Sequence, residues 1–182
     1  MLNLQEIKDF LNENLEFLNT KSGQDLLKHL AASQHEAYIR AVASCSATCK
    51  ETLNYIFERI AIYERWPGPT IYVVCLDILE NRSIDGRFLD RIFEALEKVD
   101  NLGVVERMLI YRDIVNHPNV SSETLGKFIC GREEARMILA SSEKATDEQL
   151  YILLKDTSLT ICKNAAKHLK QRYPKRNFSS IS

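Results

Sequence analysis

The stretch SETLGKFI, residues 122–129, decides the fold of this chain. Its leucine is followed three and four positions later by apolar residues, and this spacing places the three side chains on one stripe of a helix. The same register recurs at residues 50–57, 86–93 and 147–154. The chain is therefore predicted to consist of repeated units. The anchoring leucines, 36, 36 and 25 residues apart, are Leu53, Leu89, Leu125 and Leu150.

A second apolar stripe lies before each leucine, and its four members are fifteen, fourteen, eleven and ten residues upstream of that leucine. Each unit is therefore predicted to contain two helices. A fifth copy of this stripe has no leucine helix after it. A stack that stops on half a repeat needs a polar cap, and the basic tail is suited to that role. The five copies are Tyr38, Ile39, Val42 and Ala43; Val74, Cys75, Ile78 and Leu79; Ile110, Tyr111, Ile114 and Val115; Ala135, Arg136, Leu139 and Ala140; and Ile161, Cys162, Ala165 and Ala166.

Short polar turns separate the predicted helices. Asp85, Ser121 and Thr146 stand where an N-cap is expected, because their side-chain oxygens can accept from the first free backbone N–H groups. Thr146 and Gln149 also have the spacing of a reciprocal capping box. Gly126 lies inside a predicted helix, where a small residue would permit close approach of a neighbouring helix.

The repeats define the predicted organisation of the chain. Helical spacing from Leu4 to Leu18, a break at residues 20–23 and further leucines up to Leu30 indicate a degenerate opening unit. The predicted fold class is all-α, an α-solenoid of stacked antiparallel helix pairs with about eleven helices. We expect one domain, residues 1–182, consisting of a degenerate N-terminal unit (1–47), repeat units (48–157) and a terminal half-repeat with a basic tail (158–182).

Two strings resemble the leucine-rich repeat variant motif. They are residues 39–43, Ile-Arg-Ala-Val-Ala, followed by Thr48 and Leu53, and residues 116–118, Asn-His-Pro, followed by Leu125. The longer middle units are more similar to HEAT-type repeats, which share the stacked helix-pair design. The resemblance implies an architecture and no particular activity. Proteins of the variant-repeat family can carry a cysteine-rich iron–sulfur segment, but this sequence has no such cluster, so no cofactor is expected.

Composition is that of an ordinary soluble globular chain, 45% apolar and 27% charged. No apolar stretch approaches the length of a membrane span and no secretory signal is present, so we expect a cytoplasmic protein without a membrane partner. Five cysteines without a Cys-x-x-Cys pair suggest neither disulfides nor a metal site. Cys75 and Cys162 fall on the apolar stripe and are predicted to be buried free thiols. Cys45 and Cys49 straddle a predicted turn.

No known catalytic motif occurs, so an enzyme is not expected and no catalytic residue is assigned. The four histidines are scattered, and His117 is interpreted as a turn residue. Asp77 with Glu80, and Arg112 with Asp113, form charge pairs. We interpret them as solvated helix faces, because catalysis requires groups that converge.

The helices that carry the second stripe are expected to line the concave face of the solenoid. The charges on this face alternate in sign, whereas a phosphate-binding groove would be uniformly basic. A protein partner is therefore predicted, with the chain acting as an adaptor, inhibitor or immunity-type module; simple surface solubility is the alternative, and the oligomeric state is left open. The predicted contact residues are Arg40, Asp77, Glu80, Arg112, Asp113, Glu134, Lys163 and Lys167.

Two further features bear on binding. Trp66, in an Arg-Trp-Pro-Gly-Pro loop, is a possible aromatic anchor for a partner, or it folds back onto the core. The charge is uneven along the chain: residues 1–20 carry four acids and one base, while residues 163–176 carry six bases and no acid. The basic end favours nucleic-acid binding as an alternative function. Lysine and arginine at a helix C-terminus are, however, also explained by their favourable interaction with the helix dipole. The residues proposed for this contact are Lys170, Arg172, Lys175 and Arg176.

Overall fold

The computed structural model describes residues 3–62, 68–100 and 102–174, and the described residues contain helices and no strand. The predicted all-α class is therefore confirmed. The twelve helices of this part of the chain are α1 (Leu4–Glu13), α2 (Leu15–Leu18), α3 (Lys21–Ala31), α4 (Glu36–Ser44), α5 (Lys50–Ile62), α6 (Gly68–Glu80), α7 (Gly86–Lys98), α8 (Val104–Asn116), α9 (Ser122–Ile129), α10 (Glu133–Ala140), α11 (Asp147–Leu153) and α12 (Leu159–Arg172).

Helix lengths explain the unequal repeat spacing. The helices α5 to α8 have 13 residues each, whereas α9 and α10 have 8. The short third spacing therefore comes from shortening both helices of the unit. We expected the first helix to run to Leu18, but it is interrupted at Asn14, whose side-chain amide donates to the carbonyl of Phe10 at 2.7 Å. Such side chains compete with the helical ladder, which accounts for the extra short helix α2.

Two of the predicted N-caps are confirmed by their hydrogen bonds. The Ser121 hydroxyl accepts from the backbone N–H of Thr124 at 3.0 Å. Thr146 and Gln149 form the reciprocal capping box, with hydrogen bonds of 3.2 and 2.9 Å. Asp85 directly precedes Gly86, the first residue of α7. Each cap satisfies backbone donors that the helix itself leaves without a partner.

The chain forms two compact units. Unit 1 comprises residues 1–85 and 99–106, and unit 2 comprises residues 86–98 and 107–182. In unit 1, α4 packs against both α1 and α6, while α3 packs against α4 and α5. The side chains that meet there include Leu11, Val42 and Ile78, each fully buried or nearly so. Helices therefore contact the next helix but one as well as their neighbours in sequence.

Unit 2 repeats this arrangement. The helix α9 packs against α7 and α11, and α12 packs against α10 and α11. Its core contains the rings of Phe93, Tyr111 and Phe128, whose centroids lie 4.6 to 5.6 Å apart. The Tyr111 hydroxyl donates to the Glu97 carboxylate. Burial and this carboxylate raise the pKa of Tyr111 far above its usual value, so the phenol stays protonated in the core.

The turns after the second-stripe helices are tied together by polar side chains. In unit 1, the amide of Asn81, after α6, donates to the carbonyl of Cys45, after α4, at 2.8 Å. In unit 2, the ammonium of Lys144, after α10, donates to the carbonyl of His117, after α8, at 2.9 Å. His117 accepts at Nδ1 from the N–H of Asn119 at 3.1 Å, as befits a turn residue. Buried turns thus obtain the hydrogen bonds that burial demands.

An ion pair ties α10 to the turn before α12 in unit 2. Arg136 Nε donates to Asp156 Oδ2 at 2.6 Å. Burial favours the protonated form of Asp156, but hydrogen bonds from Arg136 and from the Ser158 N–H outweigh it and lower the pKa of the carboxyl. Arg136, the polar member of the fourth apolar stripe, therefore has a structural partner.

The predictions for the cysteines and for Gly126 have mixed outcomes. Cys75 is buried, as predicted, and burial raises the pKa of its thiol to about 12. Cys162 is only half-buried, and its thiol donates to the carbonyl of Asp156, in the turn before α12, at 3.1 Å. The expected close helix approach at Gly126 is wrong, since an added Cβ there would meet nothing within 4 Å. At Gly23 an added Cβ would lie 2.2 Å from the Phe17 carbonyl oxygen. No helix in the described ranges has both the length and the apolarity to cross a bilayer.

Candidate functional site

Three of the predicted contact residues meet in unit 1. Helix α4 carries Arg40, and α6 carries Asp77 and Glu80 on successive turns. Because α4 packs against α6 and α1 packs against α4, Lys8 of α1 reaches the same place. The two cations and two carboxylates form a four-residue cluster on the α1–α4–α6 side of unit 1.

Asp77 is the centre of this cluster. Its Oδ1 accepts from Lys8 Nζ at 2.9 Å and its Oδ2 from Arg40 Nε at 2.7 Å. The side chain of Asp77 is 5% exposed, while those of Lys8 and Arg40 are 23% and 26% exposed. The interpretation of Asp77 as part of a solvated helix face is therefore wrong: the two neighbouring helices supply cations that cover its carboxylate.

Glu80 is different from Asp77 although it lies on the same helix. Its side chain is 65% exposed, and its Oε2 is 3.9 Å from Lys8 Nζ, at the outer limit of an ion pair. Lys8 is already held by Asp77 at a much shorter distance. An exposed pair of this length contributes little, so the Glu80 carboxylate remains open to a cation from outside.

Lys8 is not among the contact residues predicted from the sequence. Its one distinguishing feature in the sequence is that it is the single base among the four acids of residues 1–20. Nothing in the local pattern, however, relates residue 8 to residue 77. The contact depends on the packing of α1 beside α4, which a helix period does not encode.

A cavity of about 140 Å³ opens beside the cluster. Leu11, Ala41 and Cys45 supply its apolar wall. Lys8, Asn12, Ser44 and Glu80 supply its polar wall. The volume is well below the roughly 300 to 1,000 Å³ typical of sites for drug-sized ligands and cofactors. The cavity is large enough for one side chain of a partner protein.

In unit 2 the predicted contact residues are dispersed. Arg112 and Asp113 of α8 form an exposed pair with Nε and Oδ1 3.2 Å apart. Glu134 of α10 lies 3.8 Å from the guanidinium of Arg107. Lys163 and Lys167 of α12 are exposed. Among the described residues of this unit, no ion pair joins the α8 pair to the α12 lysines.

The remaining predicted residues lie at the chain's basic end and in the loop before α6. Arg172 is held by unit 2: its guanidinium donates to Asp147 Oδ1 and to the carbonyl of Glu143, both at 2.8 Å. Lys170 is exposed on α12. Trp66, Lys175 and Arg176 lie outside the described residues.

The described residues contain no group of three or more His, Cys, Asp or Glu side chains placed to hold a metal ion. No family model matches the chain, and neither does any curated protein or solved structure. The class that the structure itself defines is an all-α protein with two compact helical units. In unit 1 an ion cluster centred on the buried carboxylate of Asp77 lies beside a small pocket.

Proposed function

We propose that this chain is a non-enzymatic protein-binding module, an α-solenoid of stacked helix pairs that holds a partner protein on the face formed by its second-stripe helices. The observation that carries the proposal is the pocket on α1, α4 and α6, with the open carboxylate of Glu80 at its rim. The pocket receives one cationic or amide side chain of the partner.

Recurring contacts support the solenoid. Asp77 and Asn164 occupy the same place in the repeat, three residues after the first member of the second stripe. Each bonds to the preceding unit: Asp77 to Arg40 of α4, and Asn164 to Ser141, the residue directly after α10, at 3.0 Å. Residues at one repeat position that each bond to the preceding unit are what a stack of repeats requires. The ties between successive turns, made by Asn81 and Lys144, recur in the same way.

The charges around the pocket indicate the partner's chemistry. Lys8 and Arg40 are committed to Asp77, which leaves Glu80 as the rim charge with the most solvent exposure. Asn12 and Ser44 add an exposed amide and a half-buried hydroxyl. A lysine, an arginine or a glutamine of the partner would find both a carboxylate and neutral hydrogen-bonding groups here. Such a contact sets orientation and specificity as well as affinity.

The nucleic-acid alternative has less support. Arg172, one of the proposed contacts, is held by Asp147 and the Glu143 carbonyl within unit 2. The cluster beside the pocket in unit 1 includes two carboxylates, which phosphate groups would avoid.

A crosslinking experiment identifies the partner and tests the pocket together. A photo-crosslinking amino acid at Asn12, in the full chain expressed in its own cells, is expected to capture one protein repeatedly, and the same amino acid at Glu148 of α11 is the control. The affinity of the identified protein is then measured with the Glu80→Lys variant. We expect binding to weaken at least about tenfold, a loss of about 1.4 kcal/mol.

The matched control is Glu16→Lys, which reverses an exposed carboxylate of α2 without touching the pocket. It is expected to bind like the unmodified chain. Circular dichroism establishes that both variants keep their helices. Equal capture from Asn12 and Glu148, or equal affinity of the Glu80→Lys variant, would refute the assignment of the pocket.

A further inference from the structure

Three lysines form a stripe on the outer face of α12. Lys163, Lys167 and Lys170 follow one another at spacings of four and three residues, so they lie within about 60° of each other around the helix. The opposite face carries the buried residues Ile161, Ala165 and Leu169. All three lysines are exposed, and within the described residues their side chains make no hydrogen bond or ion pair.

The repeat pattern indicates what these positions do elsewhere in the chain. Lys163 stands where Arg40 stands in α4, two residues after the first member of the second stripe. Lys167 is equivalent to Ser141, the residue directly after α10, because each lies six residues after the first member of its stripe. Arg40 and Ser141 both bond to the next second-stripe helix. Lys163, Lys167 and Lys170 are exposed, so in the described part of the chain no helix covers the lysine stripe.

The helix α1 carries a stripe of the opposite sign. Glu6, Asp9 and Glu13 are exposed and lie opposite the buried residues Ile7 and Leu11. In both stripes the first and last residues are seven positions apart, or about 10 Å along a helix. The two stripes therefore match in length as well as in charge.

Among the described residues, no cation forms an ion pair with Glu6, Asp9 or Glu13. Glu6 accepts from the backbone N–H of Asn3 and Asp9 accepts from the Gln5 amide, and neither donor is charged. The single base of α1, Lys8, turns away to Asp77.

Each stripe also carries an exposed apolar side chain. Phe10, four residues after Glu6, is 51% exposed, and Leu159, four residues before Lys163, is 61% exposed. A contact between the stripes would remove both from water. Apolar burial of this kind would add affinity to a contact whose orientation is set by charge.

We propose that α12 of one copy of this chain docks on α1 of a second copy, pairing the lysine stripe with the acidic stripe. The two surfaces differ, so the contact is heterologous and leaves one stripe of each copy free for a further copy. A nucleic acid would match the lysines alone, whereas a second copy matches their charge, their spacing and the neighbouring apolar residue.

Sedimentation velocity on the full chain tests the docking. We expect concentration-dependent association at about 20 mM salt and its loss at about 500 mM, because exposed charges are screened. The Lys163→Glu/Lys167→Glu variant and the Asp9→Lys/Glu13→Lys variant are each expected to remain monomeric alone. An equimolar mixture of the two is expected to associate again. Each helix α12 of one variant can then pair with an α1 of opposite charge on the other variant. Recovery on mixing could not come from a folding defect.

The control is Lys21→Glu/Lys28→Glu, which changes the net charge equally at two exposed lysines of α3. It is expected to associate like the unmodified chain. An unmodified chain that stays monomeric at low salt would overturn the proposal, as would association of the two stripe variants alone. Binding of a generic oligonucleotide by a monomeric chain, lost in the Lys163→Glu/Lys167→Glu variant, would assign the stripe to nucleic acid instead. None of the substituted residues lines the pocket. Docking is measured as self-association and the pocket as affinity for a different protein, so the two proposals fail independently.

Discussion

Replacing Asp77 with asparagine removes one buried charge while keeping the shape of the side chain. The carboxylate holds two cations through hydrogen bonds of 2.9 and 2.7 Å. An amide keeps one acceptor oxygen but places an N–H donor against the second cation. Neither cation then faces a charge at residue 77, and only the longer contacts of Lys8 to Glu80, at 3.9 Å, and of Arg40 to Glu36, at 3.7 Å, remain. The packing of α6 against α1 and α4 is weakened as a result.

The magnitude follows from these two bonds. A hydrogen bond to a charged group contributes about 1.5 to 3 kcal/mol. Lys8 and Arg40 are 23% and 26% exposed, so each can recover part of its hydration when the carboxylate is lost. We therefore expect Asp77→Asn to lower the free energy of unfolding by about 3 kcal/mol, toward the lower end of the range for broken buried ion pairs. Urea unfolding followed by circular dichroism measures this loss.

Asp113→Asn is the matched control. Asp113 occupies the equivalent repeat position in α8, but its side chain is 36% exposed and pairs with the adjacent Arg112 at 3.2 Å. We expect it to change stability by less than about 0.5 kcal/mol. A double-mutant cycle of Asp77→Asn with Lys8→Met should give a coupling of about 1 to 2 kcal/mol. Equal losses for Asp77→Asn and Asp113→Asn, or a coupling near zero, would show that the cluster does not hold these helices together.

Three further predictions concern stability and reactivity. Gly126→Ala should stabilise the chain by about 0.5 to 1 kcal/mol in thermal unfolding, because alanine is the better helix former and open space surrounds the site; Gly23→Ala, whose Cβ would collide with backbone, should destabilise it. The pKa of Asp156 is lowered in the folded state, so its carboxylate should add about 2 kcal/mol to the free energy of unfolding relative to Asp156→Asn at pH 7. This difference should disappear as the pH falls below about 4 and through the folded pKa. A difference in urea titrations that does not depend on pH would contradict the ion pair. In the folded chain Cys75, whose thiol has a pKa of about 12, should resist a thiol reagent at pH 8 and should react only on unfolding. The exposed Cys130 should react at once.

Local patterns were sufficient to predict much of the secondary structure. The stripe that begins at Leu125 and the cap at Ser121 concern residues a few positions apart, whose geometry a helix fixes by itself. The prediction at Gly126 was wrong because the approach of a neighbouring helix depends on residues distant in the sequence. A glycine is compatible both with close approach and with open space, and only its neighbours in the folded chain distinguish the two.

The candidate site, too, was predictable from the sequence only in part. The sequence by itself placed Arg40, Asp77 and Glu80 on second-stripe helices, because repeat register and helix period are properties of the chain. The folded units decided what these residues do: packing of α1 beside α4 brought Lys8 to Asp77, buried that carboxylate and left Glu80 exposed at a pocket. The physical reason is that helical periodicity acts over a few residues, whereas the Lys8–Asp77 contact joins positions 69 residues apart and exists only when apolar burial has brought three helices together.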